Sequence, residues 1–276
     1  MPAPKPLPPP SLKLLFFPSW DTEYVHFDGA KDQPFSSKPG FSAINAWWLA
    51  DAALLAYWPP EQVPATFARA GFFHTQFFTH GSTQCYVASN ATAALVTFRG
   101  TEITHLEDSL ADARLKLVPW DGAGQVHQGF LSALDAVWGQ LRAHLRSLDG
   151  RTIWFTGHSL GAALATLGAQ RWKNQGGNAA GIYTIGSPRV GNGLFAANFD
   201  AAFPDQCFRY VNGADGVTRV PPEGEYQHVG KEIRLNSNGS SHPFLAGLEA
   251  AFIDHTPRRY TTLIWNELVA SRPPSS

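Results

Sequence analysis

The stretch Thr152–Gln170, TIWFTGHSLGAALATLGAQ, constrains this chain more than any other. An apolar run ends in Gly157-His158-Ser159-Leu160-Gly161, and a run of small residues follows. The change of pattern predicts a strand that turns directly into a helix. In so tight a turn the apical serine adopts a strained backbone, and its hydroxyl projects above the sheet. Side chains two positions before and after it would collide, which calls for glycine at both. The helix that starts there directs its free amide hydrogens, and the positive end of its dipole, at charge developing beside the serine.

The flanking sequence supplies the elements of a layered fold. FSAINAWWLADAALLAYW (Phe41–Trp58) is apolar on more than one face and predicts a buried helix stopped by Pro59-Pro60. TQCYVASN and AALVTFRG predict strands paired through Asn90-Ala91. GFLSALDAVWGQLRAHLRSLDG carries apolar residues at helical spacing, from Phe130 to Leu145, and Gly150 suits its stop. After the serine turn come strand GIYTIGS, a short helix near Leu194–Asp200, strand CFRYVNG, strand candidate KEIRLN and a closing helix in RRYTTLIWNELV. Strands alternating with helices predict an α/β protein with a central, mainly parallel sheet. Ligands in such sheets collect at the carboxyl ends of the strands. With a serine elbow at that edge, the expected class is the α/β-hydrolase fold.

A serine hydroxyl is a weak nucleophile at neutral pH. It needs a histidine to take its proton and a carboxylate to orient that histidine. In this fold the order along the chain is Ser, then Asp or Glu, then His. Asp215 lies just beyond the predicted strand Cys207–Asn212, in a Gly-rich loop, whereas Asp200 and Asp205 precede that strand and read as surface residues. His228, His242 and His255 follow Asp215. His255, in FIDHTPRRY just before the last helix, is the favoured base; His228 and His242 are the alternatives. His158 reads as a structural, hydrogen-bonded histidine. Attack on an ester makes an oxyanion that needs at least two donors. The backbone amide of Leu160 follows the nucleophile, and Thr101, after Gly100 in LVTFRGTEITH, offers an amide and a hydroxyl. Arg99 reads as a structural ion-pair or hydrogen-bond former.

VTFRGTE, VHQGFLSA, TGHSLGAALA, IGSPRVGN, RYVNGADGVTRVPP, YQHVG and DHTPRRY follow one another in an order that resembles the class 3 lipases, the family of the fungal triacylglycerol lipases. The likeness spans roughly Ala93 to Tyr260 and, more loosely, the helix at Phe41–Trp58. It implies Ser159 as nucleophile, Asp215 as acid, His255 as base, and Thr101 with Leu160 as oxyanion donors. It implies that His228 is adjacent to the site without being catalytic, and that neither a metal nor an organic cofactor is needed. The segment after Thr101 is where such lipases carry a lid, here about residues 102–118. Ile103, Leu106, Leu110, Ala113 and Leu117 recur at spacing three and four, which predicts an amphipathic helix able to turn its apolar face to a lipid surface. Family members often carry a tryptophan where this chain has Ser109, which weakens the expectation of interfacial activation. Asp112 matches a family aspartate that supports the oxyanion residue. The expected substrate is an acylglycerol or another carboxylic ester. The alternatives are a feruloyl-type or general carboxylesterase, a phospholipase, and a noncatalytic lipid-binding module.

Composition sets the remaining bounds. The chain has 276 residues, 44% hydrophobic and 16% charged, enough for one large domain with a substantial core. Residues 1–12 read as a proline-rich flexible tail and residues 13–276 as a single domain. A net charge of -1 gives no reason to expect nucleic acid as a partner. No stretch has the length and apolarity of a transmembrane segment. MPAPKPLPPP lacks the apolar core of a secretory signal, so the expected compartment is the cytoplasm, or the outside of the cell if a leader is missing from the chain. Cys85 and Cys207, the two cysteines, are expected to be reduced and structural.

Overall fold

A computed structural model describes residues 3–9, 11, 17–21, 23–100, 116–235 and 252–271. Seven strands form one sheet: β1 (His74–His80), β2 (Thr83–Ser89), β3 (Ala93–Phe98), β6 (Thr152–His158), β7 (Gly181–Ile185), β8 (Cys207–Asn212) and β9 (Lys231–Leu235), in the order β1-β2-β3-β6-β7-β8-β9. β1, β2 and β3 pair antiparallel, and from β3 onward every pairing is parallel. The antiparallel pairs need only tight turns, and Asn90 closes one of them. Its carboxamide oxygen accepts from the amides of Thr92 and Ala93, both at 2.9 Å. Helices cross over the β3–β6, β6–β7 and β7–β8 pairs, whereas the β8–β9 connection carries only the 3-10 turn Val217–Arg219; helices cover both faces of the sheet.

Successive strand residues point into two different cores, as the period of two requires. Cys85, Val87, Val96, Phe98, Phe155 and Ile182 pack against one helical layer, made of α3 (Gln128–Arg146), α4 (Leu160–Asn174) and α5 (Gly193–Ala202). Tyr86, Leu95, Trp154, Tyr183, Phe208 and Tyr210 pack against the other, made of α1 (Ala43–Leu55), α2 (Val63–Arg69) and α6 (Pro257–Ala270). α3 keeps its apolar stripe (Phe130, Leu134, Val137, Trp138, Leu141, Leu145) inward and is otherwise wet. α1 is buried all round from Asn45 to Leu55. Ser42 caps α1, accepting from the amide of Asn45 at 3.2 Å. Both cysteines are free and buried, and burial raises the pKa of each thiol.

Four features depart from the expectations. β1, the hairpin of β4 (Leu117–Pro119) with β5 (Gln125–His127), and α2 were not anticipated. Leu117, counted on the apolar face of the expected lid helix, lies in β4 and pairs with His127. Strand pairing through the turn at Gly122 and Gly124 overrides the helical spacing there; the lid's remaining positions, 102–115, lie outside the described residues. The proline-rich start is extended, but it is held. The Lys5 amide donates to Asn266 Oδ1 at 2.7 Å, Asn266 Nδ2 donates back to the Lys5 carbonyl at 2.9 Å, and Trp265 Nε1 donates to the Ala3 carbonyl at 2.9 Å. A backbone unable to pair with itself is thus paired by side chains of α6.

Asp51 places a carboxylate inside α1 with no exposure. One oxygen takes His26 Nδ1 at 2.7 Å and the other takes the Phe27 amide at 2.7 Å. Asp51 thereby fixes the 25–32 loop, where Phe27 has a φ of 56°. Asp51→Ala orphans both donors, each worth about 1–3 kcal/mol when left buried. The substitution is expected to lower the urea midpoint by an amount equivalent to several kcal/mol with an unchanged m-value.

Candidate active site

Four segments meet at the carboxyl edge of the sheet. Ser159 stands between β6 and α4 with φ 59° and ψ -127°, the strained conformation expected of the turn. Glycine is required on both sides for the expected reason. A Cβ on Gly157 would strike the backbone of Gly161, and one on Gly161 would strike the carbonyl of Phe98 in β3. The Ser159 amide is tied to the Ile185 carbonyl at 3.0 Å, which anchors the turn to β7. Leu160 is the first residue of α4, so its amide is among those a helix start leaves without an intrahelical partner. Ser159 is 1% exposed.

Asp215 and His255 come together from loops separated by 40 residues. His255 Nδ1 lies 2.8 Å from Asp215 Oδ2, and both side chains are fully buried. The same carboxylate oxygen accepts from Tyr260 Oη at 2.6 Å, and Oδ1 accepts from the Val217 amide at 2.9 Å. Burial, with Asp215 beside it, pushes the Tyr260 phenol well up, so Tyr260 keeps its proton and donates it. A carboxylate only accepts, so Nδ1 carries the hydrogen of this bond, and in the neutral tautomer Nε2 is the acceptor nitrogen. His255 Nε2 and Ser159 Oγ are both buried and have no hydrogen-bond partner among the described residues. Gly186, next to Ile185, borders the pair. A Cβ there would sit 3.0 Å from Asp215 Oδ2 and 3.1 Å from His255 Nδ1, and its φ of 58° favours glycine independently.

His158 is structural, as expected, and the structure shows what it holds. Its ring lies against that of His255, with centroids 4.4 Å apart. Nε2 donates to the His255 backbone carbonyl at 2.7 Å, since a carbonyl can only accept. Nδ1 therefore accepts, from Tyr57 Oη at 2.9 Å. Burial first, and then His255, depress the His158 pKa well below its ordinary value, which keeps the ring neutral as this bonding requires. Tyr57 also touches the strand end of β3. Its hydroxyl occupies the place where a Cβ on Gly100 would be, and the Arg99 guanidinium lies 5.6 Å from its ring centre. Tyr57, Gly186 and Tyr260 were missed by sequence reasoning. Tyr260 and Gly186 fall inside the DHTPRRY and IGSPRVGN motifs, which offered a signal; Tyr57 comes into contact through the fold alone.

The other candidates sort clearly. His228 Nε2 donates to the Thr218 carbonyl at 2.7 Å, whereas it is His255 that bonds Asp215. His242 and Thr101 lie outside the described residues, as does Asp112. Asp200 and Asp205 are exposed. No group of three or more metal-ligating side chains occurs among the described residues.

A mainly parallel, helix-covered sheet with a strained serine at its carboxyl edge defines an α/β-hydrolase. Residues 95–225 match the family model of the class 3 lipases. It is 35% identical over 148 residues to the secreted mono- and diacylglycerol lipase 3 of Gibberella zeae, covering 51% of this chain and 46% of that protein. Among solved structures it resembles a triacylglycerol lipase described as having a serine protease triad in its catalytic centre (27% identity, TM-score 0.52, 60% of this chain and 66% of that one). It also resembles the lipase of Rhizopus microsporus var. chinensis (26% identity, TM-score 0.57, 75% and 80%). The chain spans about half the length of the curated relatives it matches.

The buried imidazoles set the response to acid. Burial lowers the pKa of His158, and burial with Arg209 nearby lowers that of His228 to about 4. Below the unfolded value near 6.5, the unfolded chain binds protons that the folded chain refuses. Stability should be complete above pH 6.5 and fall as the pH drops towards 4. Urea midpoints across that range are expected to decline, and His228→Asn should make the decline shallower.

Proposed function

We propose that the chain is a serine carboxylic-ester hydrolase that cleaves acylglycerols through an acyl-enzyme. The observation that carries the reading is the buried Asp215–His255 pair, with His255 Nε2 and the hydroxyl of the strained Ser159 both buried and without a hydrogen-bond partner among the described residues. His255 Nε2 takes the Ser159 proton as Oγ attacks the ester carbonyl carbon. The carbon–alkoxide bond breaks, and His255 returns the proton to the departing alcohol. Water then repeats the sequence, with His255 as base, and releases the fatty acid and Ser159. Asp215 holds the imidazole tautomer and stabilises the transient imidazolium. Leu160 N–H and Thr101 are assigned as the oxyanion donors, with the start of α4 adding its dipole.

The substrate class rests on the relatives, which are mono-, di- and triacylglycerol lipases by name. The names of the curated relatives as secreted lipases support an exported protein, and nothing among them supports a cytoplasmic one. No described helix is long and apolar enough to cross a membrane. The segment between Thr101 and β4 is assigned to a lid at the lipid–water interface, and residues 13–276 to one catalytic domain. The reading requires no cofactor.

Ser159→Ala and His255→Ala should each lower p-nitrophenyl ester hydrolysis by several orders of magnitude while the folded state persists by circular dichroism. Full turnover by Ser159→Ala in a clean preparation rejects the nucleophile. Rates on mono-, di- and triacylglycerols of graded chain length, set against methyl ferulate and a phospholipid, should rank an acylglycerol first. A preference for the ferulate would replace the lipase reading with an arylesterase.

A further inference from the structure

On the far side of the Asp215 turn, Arg189, Arg209, Arg219, Arg234, His228 and Glu232 line a cavity of about 110 Å³. Four arginines and one carboxylate line it; with Glu223, 3.7 Å from Arg189 Nη2, counted as well, two positive charges remain in excess. Glu232 is already committed with both oxygens: Oε2 to Arg209 Nη2 at 2.9 Å and Oε1 to Arg234 Nε at 2.6 Å. Arg189 Nη1 is occupied by the carbonyls of Arg219, at 2.5 Å, and Pro221, at 2.8 Å. Arg209 is 6% exposed, yet its Nε has no hydrogen-bond partner among the described residues. A buried cationic donor without an acceptor is costly, and an anion in the cavity would supply that acceptor. His228 reports the same field, since burial and then Arg209 depress its pKa to about 4.

We propose that this cavity binds a phosphate group, taken either as free phosphate or as the headgroup of an anionic phospholipid. Converging planar guanidiniums suit a multiply charged tetrahedral oxyanion, which accepts charge-assisted bonds on several sides. The volume, equal to roughly three or four water molecules at about 30 Å³ each, admits one such group and no long body. Thr218 and Arg219 belong both to the cavity wall and to the 3-10 turn Val217–Arg219. The first amide of that turn holds Asp215 Oδ1, and Thr218 Oγ1 donates to the Asp215 carbonyl at 2.8 Å. An anion bound to Arg219 therefore braces the turn that carries Asp215. The binding itself stands apart from the esterase reading and is tested apart from it.

Isothermal titration of the full chain with inorganic phosphate, at pH 7 and constant ionic strength, is expected to saturate with a Kd below about 10 mM and to raise the melting temperature. The double variant Arg219→Gln/Arg234→Gln changes two exposed rim residues, so it should fold as the parent does and bind at least tenfold more weakly. Arg209→Lys keeps the charge but loses the Nε donor and should weaken binding too. Co-sedimentation with phosphatidylcholine vesicles, with and without phosphatidic acid, separates the two sources. Capture by phosphatidic acid that the double variant loses identifies the headgroup; saturable phosphate binding without such capture identifies the free ion. Neither response, or responses that the double variant leaves unchanged, overturns the proposal.

Discussion

The close approach of β3, β6 and α4 governs everything at this site. At Gly157 and Gly161 the backbones come nearer than any side chain allows, and the space so gained lets the chain reverse at a single residue, Ser159. The strain of a positive φ at a non-glycine residue costs on the order of 1–3 kcal/mol. It persists because the turn is fixed from both sides, by the Ile185 carbonyl on the Ser159 amide and by the β3 backbone against Gly161. A looser junction would relax Ser159 into the helix and lay its hydroxyl along the protein surface.

From that junction outward, the polar groups near the serine are neutral or paired, and each is held by another. Asp215 takes three donors, from His255, Tyr260 and Val217. His158 joins the Tyr57 hydroxyl to the backbone of His255, so the elbow, the end of α1 and the histidine loop share one hydrogen-bonded chain. In a dry interior such a network fixes geometry more firmly than surface contacts do, because a broken member has no water to turn to. Against this background Nε2 of His255 and the hydroxyl of Ser159 stand out as groups left open for a reacting partner. Tyr57 extends the network to Gly100, the residue before Thr101, and so ties the base-bearing loop to the strand end assigned to oxyanion binding.

Much of the fold was legible because its central strands are hydrophobic and its helices have clear faces or clear stops. β2, β3, β6, β7, β8 and β9 fall where the apolar runs put them, as do α1, α3, α4, α5 and α6. β1 escaped because HTQFFTH alternates poorly and earns its place by pairing with β2. The β4–β5 hairpin escaped for the opposite reason: Leu117 fits a helical spacing, and tertiary pairing overrode it. The proline-rich start reads as free chain because proline cannot pair within its own backbone, and the side chains of α6 that receive it lie more than 250 residues away.

The sequence by itself determined the elbow, the chain order of the proposed nucleophile, acid and base, and the alternation of strand and helix. These depend on local rules: which residues tolerate a tight turn, which period buries a face, and which functional groups a weak hydroxyl requires. Only the tertiary structure decided that His255 rather than His228 meets Asp215, that Tyr260 and Val217 share that carboxylate, and that His158 and Tyr57 hold the histidine loop. Apart from Val217, two residues from Asp215, those pairings join segments tens to about a hundred residues apart. Their partners are chosen by which backbones the sheet brings side by side, and neighbouring residue types carry no record of that choice.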